Sequence, residues 1–72
     1  MSDLEEFGSY DEAVSRAKEM ARQGSTECII LQDRRSPIVY ATGPADKLNN
    51  PEIEQEYMGI ATVKPNGSVA RL

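Results

Sequence analysis

The chain has 72 residues, which is enough for one small domain. It contains no histidine and a single cysteine, so disulfide frameworks, zinc sites of the Cys/His type and histidine-based catalysis are excluded. The net charge of −4 disfavours direct binding to a nucleic-acid backbone. We therefore expect one domain over residues 1–72 that needs no cofactor, is not an enzyme, and works by binding.

The amino-terminal segment, residues 1–7, carries Asp3, Glu5 and Glu6 where an export signal has basic and apolar residues. We expect this segment to be loosely ordered. No stretch of the sequence is long and apolar enough to cross a bilayer. These features predict a cytoplasmic protein that does not contact membranes.

The strongest local signal is a capping box, in which Ser9 and Glu12 each satisfy the backbone N–H of the other. Apolar residues then recur with helical spacing and include three alanines. Gly24 is well placed to end the helix in the left-handed conformation. The pattern predicts a helix over 10–23 with a Glu12–Arg16 pair on its outer side.

Two short β-rich segments follow, 26–32 and 37–42, with the polar turn 33–36 between them. This arrangement predicts a hairpin. Pro37 has no N–H to donate, so it belongs at the first position of its strand or on an edge. Cys28 lies in the apolar run of the first strand, where we expect a buried and inert thiol.

The segment 45–56 leaves two interpretations open. An Asn-Pro pair within it is suited to start one or two turns of helix, and an ordered loop is the alternative. Residues 57–63 then alternate weakly, and residues 64–67 (Lys-Pro-Asn-Gly) have strong turn chemistry. With a strand over 68–72, they predict a second hairpin.

Together these elements predict an α+β domain of two layers, with one main helix packed on a mainly antiparallel four-stranded sheet. The element order is α-β-β-(short helix or loop)-β-β. Because one helix covers one sheet face, we expect the other face to meet solvent, a partner protein or a second copy in a homodimer. That face is the main structural reason to predict a binding module.

Four of the candidate interaction residues are basic or aromatic. Arg34 and Arg35, at the tip of the first predicted hairpin, suit binding to a carboxylate or phosphate, although a solvated turn is the ordinary interpretation. Tyr40 and Tyr57 lie on predicted strands. They suit a protein interface or base stacking, whereas half-buried strand tyrosines usually pack inside their own domain.

The other candidates are acidic: Glu52, Glu54 and Glu56. Their i, i+2 spacing places all three on one side of an extended segment and scatters them around a helix. An extended row would imitate the phosphate repeat of a nucleic acid. A helical arrangement is an ordinary solvated surface, and we favour that case.

Residues 28–59, which include DRRSPIVYATGPADKL at 33–48, resemble the end of the ATPase subunit of ABC importers for branched-chain amino acids. The chain has neither the phosphate loop nor the signature motif of that family, so the resemblance carries no activity over. It implies that 45–58 forms two short helices.

The sequence thus predicts a non-enzymatic protein-binding module, of the small regulatory or inhibitory kind encoded by phages and mobile elements. Its acidic surface favours a basic partner protein. The alternative is a small nucleic-acid-binding domain with a local basic and aromatic surface. That surface would use the strand tyrosines with Arg34, Arg35, Lys64 and Arg71.

Overall fold

The computed structural model describes residues 4–72, and for Leu48 it describes the backbone alone. In chain order the elements are β1 (Glu5–Phe7), α1 (Tyr10–Gly24), β2 (Cys28–Asp33), β3 (Tyr40–Pro44), a 3-10 helix (Ala45–Asn49), α2 (Pro51–Glu56), β4 (Tyr57–Val63) and β5 (Val69–Arg71). The strands form one antiparallel sheet in the order β1-β3-β2-β4-β5. This confirms an α+β domain with one main helix on an antiparallel sheet. Within residues 4–72, no helix is long and apolar enough to cross a membrane.

The described sheet has five strands, not the predicted four. The extra strand is β1, which pairs with β3 and places Glu6 opposite Ala41. Its sequence, Glu-Glu-Phe, has no strand pattern of its own, so its conformation comes from pairing with a strand more than 30 residues away. Residues 5–7, expected to be loosely ordered, thus form an edge strand. For residues 1–3 that expectation lies outside the described residues.

Helix α1 begins as predicted, because the Ser9 hydroxyl accepts a hydrogen bond from the Glu12 N–H at 3.3 Å. It ends one residue later than predicted. Gly24 is still helical, and the left-handed residue is Ser25, with φ of 49°. The Ser25 N–H donates to the Ala21 carbonyl, which satisfies one of the last helical acceptors at the cost of an unfavourable conformation for a residue with a side chain.

Arg16 ties α1 to the edge strand. Its Nε and Nη2 donate to the carboxylate of Glu5 at 2.7 and 3.2 Å, and its Nη1 donates to Glu19 at 3.3 Å. The guanidinium therefore pairs with Glu5 and Glu19, where the sequence had predicted Glu12. Two nitrogens of Arg16 donate to the two carboxylate oxygens of Glu5, and this bidentate pair explains why Arg16 binds Glu5 rather than Glu12. The hydrogen bond from Arg16 also lowers the pKa of Glu5.

The helix side of the sheet forms the larger core cluster. Ala13, Ala17 and Ala21 of α1 have no exposed surface, and these small side chains let the helix lie close to the strands. Beneath them lie buried residues of β2 and β4: Cys28, Ile30, Ala61 and Val63. Cys28 is 1% exposed, and its burial raises the pKa of the thiol, so the predicted buried cysteine is confirmed.

The second face of the sheet is not open at its centre. Ile29, Leu31 and Ala41 are buried there. Partly buried side chains that pack over them include Ile53 of α2 and Tyr57. The expectation of an uncovered face is therefore wrong for the central strands. The reason is that the segment after β3 folds back over them.

That segment is helical, which settles the alternative left open by the sequence. Asn50 caps α2 by accepting the Glu52 N–H at 3.0 Å, and Pro51 takes the first helical position. With the preceding 3-10 helix it makes the two short helices that the local resemblance implied.

Both hairpins form. In the first, β2 pairs with β3, and Pro37 lies in the loop rather than at the start of a strand, because β3 begins at Tyr40. In the second, the turn between β4 and β5 is closed by the Lys64 N–H donating to the Ser68 carbonyl at 2.9 Å. Gly67 has the positive φ, 90°, that the turn sequence predicted.

Candidate protein-binding surface

A groove of about 500 Å³ opens on the helix side of the sheet, beside the first residue of α1. It arises because one row of the sheet, Tyr40, Gln32 and Met58, lies side by side on β3, β2 and β4 at the end where α1 begins. We call it the tyrosine groove. Its lining residues are Tyr10, Gln32, Tyr40, Met58, Gly59, Ile60, Arg71 and Leu72.

Two tyrosines and an arginine form one wall of the tyrosine groove. The rings of Tyr10 and Tyr40 meet edge to face, with centroids 5.9 Å apart and planes at 73°. The Arg71 guanidinium carbon lies 5.5 Å from the centre of the Tyr10 ring, a cation–π contact. Among the described lining residues, Arg71 alone has a charged side chain. The wall is therefore aromatic and locally positive, although the chain as a whole is acidic.

Exposed apolar side chains complete the tyrosine groove. Met58 is 44% exposed and Leu72 is 72% exposed, and both line it. Ile38, 76% exposed, lies in the neighbouring hairpin loop. That loop is tied to the groove, because Gln32 Nε2 donates to the Pro37 carbonyl at 2.8 Å. Exposed apolar side chains that gather in one place mark interaction surfaces more often than scattered ones do.

Of the predicted candidates, Tyr40 lies in the tyrosine groove and Tyr57 does not. Tyr40 packs with the helix-side cluster, whereas Tyr57 packs on the opposite face of the sheet. The Tyr57 hydroxyl donates to Glu6 Oε2 at 3.0 Å. Burial, this hydrogen bond and nearby carboxylates raise the pKa of Tyr57 to about 12. The contacts of Tyr57 are thus those of a packing residue.

The two tip arginines have different surroundings. Arg34 Nε donates to the carbonyls of Glu54 and Tyr57 at 3.1 and 3.2 Å, so its side chain holds the first hairpin against the end of α2. Arg35 is exposed, and its backbone N–H donates to the Asp33 carboxylate at 2.8 Å. The two tip arginines therefore have different contacts within the domain.

The tip arginines and Lys64 lie at opposite ends of the sheet. The register of β2 and β4 places Asp33 opposite Tyr57 and Cys28 opposite Val63. Arg34 follows the first of these pairs and Lys64 follows the second. The basic residues that the nucleic-acid alternative combines are therefore spread along the sheet.

The acidic candidates, Glu52, Glu54 and Glu56, are exposed on the short helix α2. Helical spacing scatters their side chains, so the extended acidic row does not form. Within residues 4–72, no group of three or more cysteine or acidic side chains is arranged to hold a metal ion.

A second depression, of about 400 Å³, lies between the outer side of α1 and the β4–β5 turn. We call it the basic cleft. Lys18 and Arg22 of α1 line it together with residues 65–67 of the turn. The one acid on its lining, Glu19, accepts hydrogen bonds from Arg16 and Gln23. Neither Lys18 nor Arg22 was among the sequence candidates, because only the fold brings them beside the turn.

Fold and surface thus describe a small α+β domain with an aromatic and apolar groove beside the start of its helix. Comparison with protein-family models, with curated proteins and with solved structures found no match to this chain.

Proposed function

We propose that this chain is a non-enzymatic protein-binding module that receives a partner protein in the tyrosine groove. The observation that carries the proposal is the combination of Tyr10, Tyr40 and Arg71 with the exposed side chains of Met58 and Leu72. Tyrosine, arginine and methionine are among the residues that are enriched in protein interfaces.

The side chains that line the tyrosine groove indicate which partner groups would bind there. An apolar or aromatic side chain in the groove gains contact with the Tyr40 ring and the Met58 side chain. Arg71 adds a site for a carboxylate or a backbone carbonyl next to that side chain. The occupant is thus a partner segment with an apolar anchor and an adjacent acceptor group.

The acidic residues of β1 and α2, which lie outside the groove, favour basic residues on those parts of the partner that face them. A small regulatory or inhibitory protein of the phage or mobile-element kind acts in this way, by occupying a surface of its target. That role, the cytoplasmic location and a homodimer remain predictions. The nucleic-acid alternative draws no support from the positions of Arg34 and Lys64, which lie at opposite ends of the sheet.

The test is a pull-down from bacterial lysate with three tagged proteins in parallel. The first is the wild type, the second carries Met58→Asp and Leu72→Asp, and the third carries Asn49→Asp and Gln55→Asp on exposed positions away from the groove and the basic cleft. We expect one protein to be captured by the wild type and the third variant and lost from the second. Capture of the same protein by all three would refute binding in the groove, since the two variants have the same charge.

A further inference from the structure

The edge strand β5, Val69–Arg71, has backbone groups free to pair with another strand. Within residues 4–72 it has one strand neighbour, β4, and all three of its residues are exposed. An unpaired edge of this kind is the surface to which extended peptide segments add as a further strand.

The hydrogen bonds to β4 show which groups point outward. The Lys64 N–H donates to the Ser68 carbonyl at 2.9 Å, and the Leu72 N–H donates to the Ile60 carbonyl at 3.1 Å. Because bonded pairs alternate along antiparallel strands, Ala70 also faces β4. Val69 and Arg71 therefore direct their N–H and C=O groups away from the sheet.

Basic side chains outnumber acidic ones on the helix side of this edge, where Glu19 is the one acid that lines the basic cleft. Arg71 lies opposite Ala61, so its side chain is on the helix side of the sheet, the same side as the basic cleft with Lys18 and Arg22. The other edge of the sheet, β1, carries Glu5 and Glu6 instead. A strand added to β5 thus has basic side chains beside it.

We propose that the outer edge of β5 takes an extended acidic segment of the partner protein as an added strand. This inference rests on the proposed protein-binding function and names the chemistry of the partner. Backbone hydrogen bonds to Val69 and Arg71 hold the segment, and its helix-side carboxylates meet Arg71, Lys18 and Arg22. The same segment reaches the tyrosine groove, because Arg71 lines that groove as well.

A second copy of the chain offers another acidic strand, β1. The Glu5 carboxylate, however, already accepts two hydrogen bonds from Arg16 of its own chain. Glu5 would have to give up that contact to meet the β5 edge of a neighbour. The geometry therefore favours a segment from a different protein.

The test uses a probe peptide, acetyl-(Glu-Val)₃-amide, with acetyl-(Lys-Val)₃-amide as its control. Amide hydrogen exchange and nitrogen-15 NMR are recorded for the full chain with each peptide at millimolar concentration and low salt. We expect the acidic peptide to slow exchange at the Val69 and Arg71 amides and the basic peptide to have no effect. Added salt should weaken the acidic peptide's binding.

Two substitutions separate backbone pairing from charge. Val69→Pro removes an outward N–H that β4 does not use, so we expect it to abolish the protection at Arg71. Arg22→Glu should weaken binding of the acidic peptide about threefold to fivefold, as one exposed ion pair allows. Arg35→Glu, which changes the charge equally at the hairpin tip, should leave binding unchanged.

Three results would overturn the proposal. One is no response of the Val69 and Arg71 amides to the acidic peptide. Another is a peptide that shifts the Met58 and Leu72 signals without protecting those amides. That result would refute strand addition to β5 but would agree with binding in the tyrosine groove. The third is self-association in sedimentation that Val69→Pro removes, which would assign the edge to a second copy.

Discussion

The Tyr57 hydroxyl donates to the Glu6 carboxylate at 3.0 Å, although the two residues belong to β4 and β1, with β2 and β3 between them. The Tyr57 and Glu6 side chains together bridge that distance over the second sheet face, where the Tyr57 ring packs against the buried cluster that contains Leu31 and Ala41. One side chain thus covers the centre of this face and also fixes the edge strand. Tyr57 and Ile53 of α2 therefore cover together the face that the sequence predicts to be open.

The Tyr57 contact predicts a loss of stability at alkaline pH. The folded state raises the pKa of Tyr57 from about 10 to about 12, so it favours the neutral phenol. The corresponding stabilisation is complete below about pH 10 and is lost as the pH rises through about 12. The free energy of unfolding should fall by at most about 3 kcal/mol over this range. Urea unfolding measured across this range should show the decline.

The control is Tyr57→Phe, which removes the titrating group. We expect it to be about 1 kcal/mol less stable at neutral pH, because the hydrogen bond to Glu6 is lost, and to show less alkaline decline than the wild type. The difference in phenolate absorbance between the two proteins gives the pKa of Tyr57 directly. A midpoint near 10 would contradict the contact with Glu6.

The tip arginines should differ in their effect on stability. Arg34→Met removes two hydrogen bonds to the carbonyls of Glu54 and Tyr57, and we expect a loss of about 1–2 kcal/mol in the free energy of unfolding. Arg35→Met removes an exposed side chain and should change it by less than about 0.5 kcal/mol. Equal effects in thermal unfolding would mean that Arg34 does not anchor α2.

The alanine face of α1 predicts a severe effect of added bulk and charge. Ala17 has no exposed surface and lies in the middle of the helix–sheet contact. Ala17→Glu should unfold the domain or destabilise it by several kcal/mol, because the carboxylate has no polar partner there. Ser15→Glu, on an exposed position of the same helix, is the matched control and should melt like the wild type.

Local sequence signals predicted the elements that depend on neighbouring residues. The Ser9–Glu12 capping box placed the start of α1, and the turn before Gly67 placed the second hairpin. Strand β1 was not predicted, because its three residues are held in a strand by pairing with β3, which lies far along the chain. The packing of side chains over the second sheet face was not predicted for the same reason, because Tyr57 bonds a carboxylate 51 residues away.

The candidate site was predicted only in part. Tyr40 was a candidate, but its neighbours in the tyrosine groove were not recognised as one surface. Tyr10 comes from the start of the helix and Arg71 from the last strand, and only the strand register brings them together. An alternating pattern predicts that a tyrosine faces one side of a sheet, but it does not predict which residues of other strands lie beside it.

The buried thiol makes a chemical prediction. Cys28 is 1% exposed and its pKa is raised by burial, so little thiolate is present and the sulfur is out of reach. We expect DTNB to react with the native protein at the rate of global unfolding and with the denatured protein at the rate of a free thiol. Rapid reaction of the native protein would contradict the packing of β2 under α1.

The most direct test of binding in the tyrosine groove is methyl-detected NMR of the labelled chain with the protein that the wild type captures. If the partner binds in the groove, the methyl signals of Met58 and Leu72 shift on binding, while that of Ile53, on the other face of the sheet, stays in place. Shifts at Ile53 with none at Met58 and Leu72 would place the partner on the second face and contradict binding in the tyrosine groove.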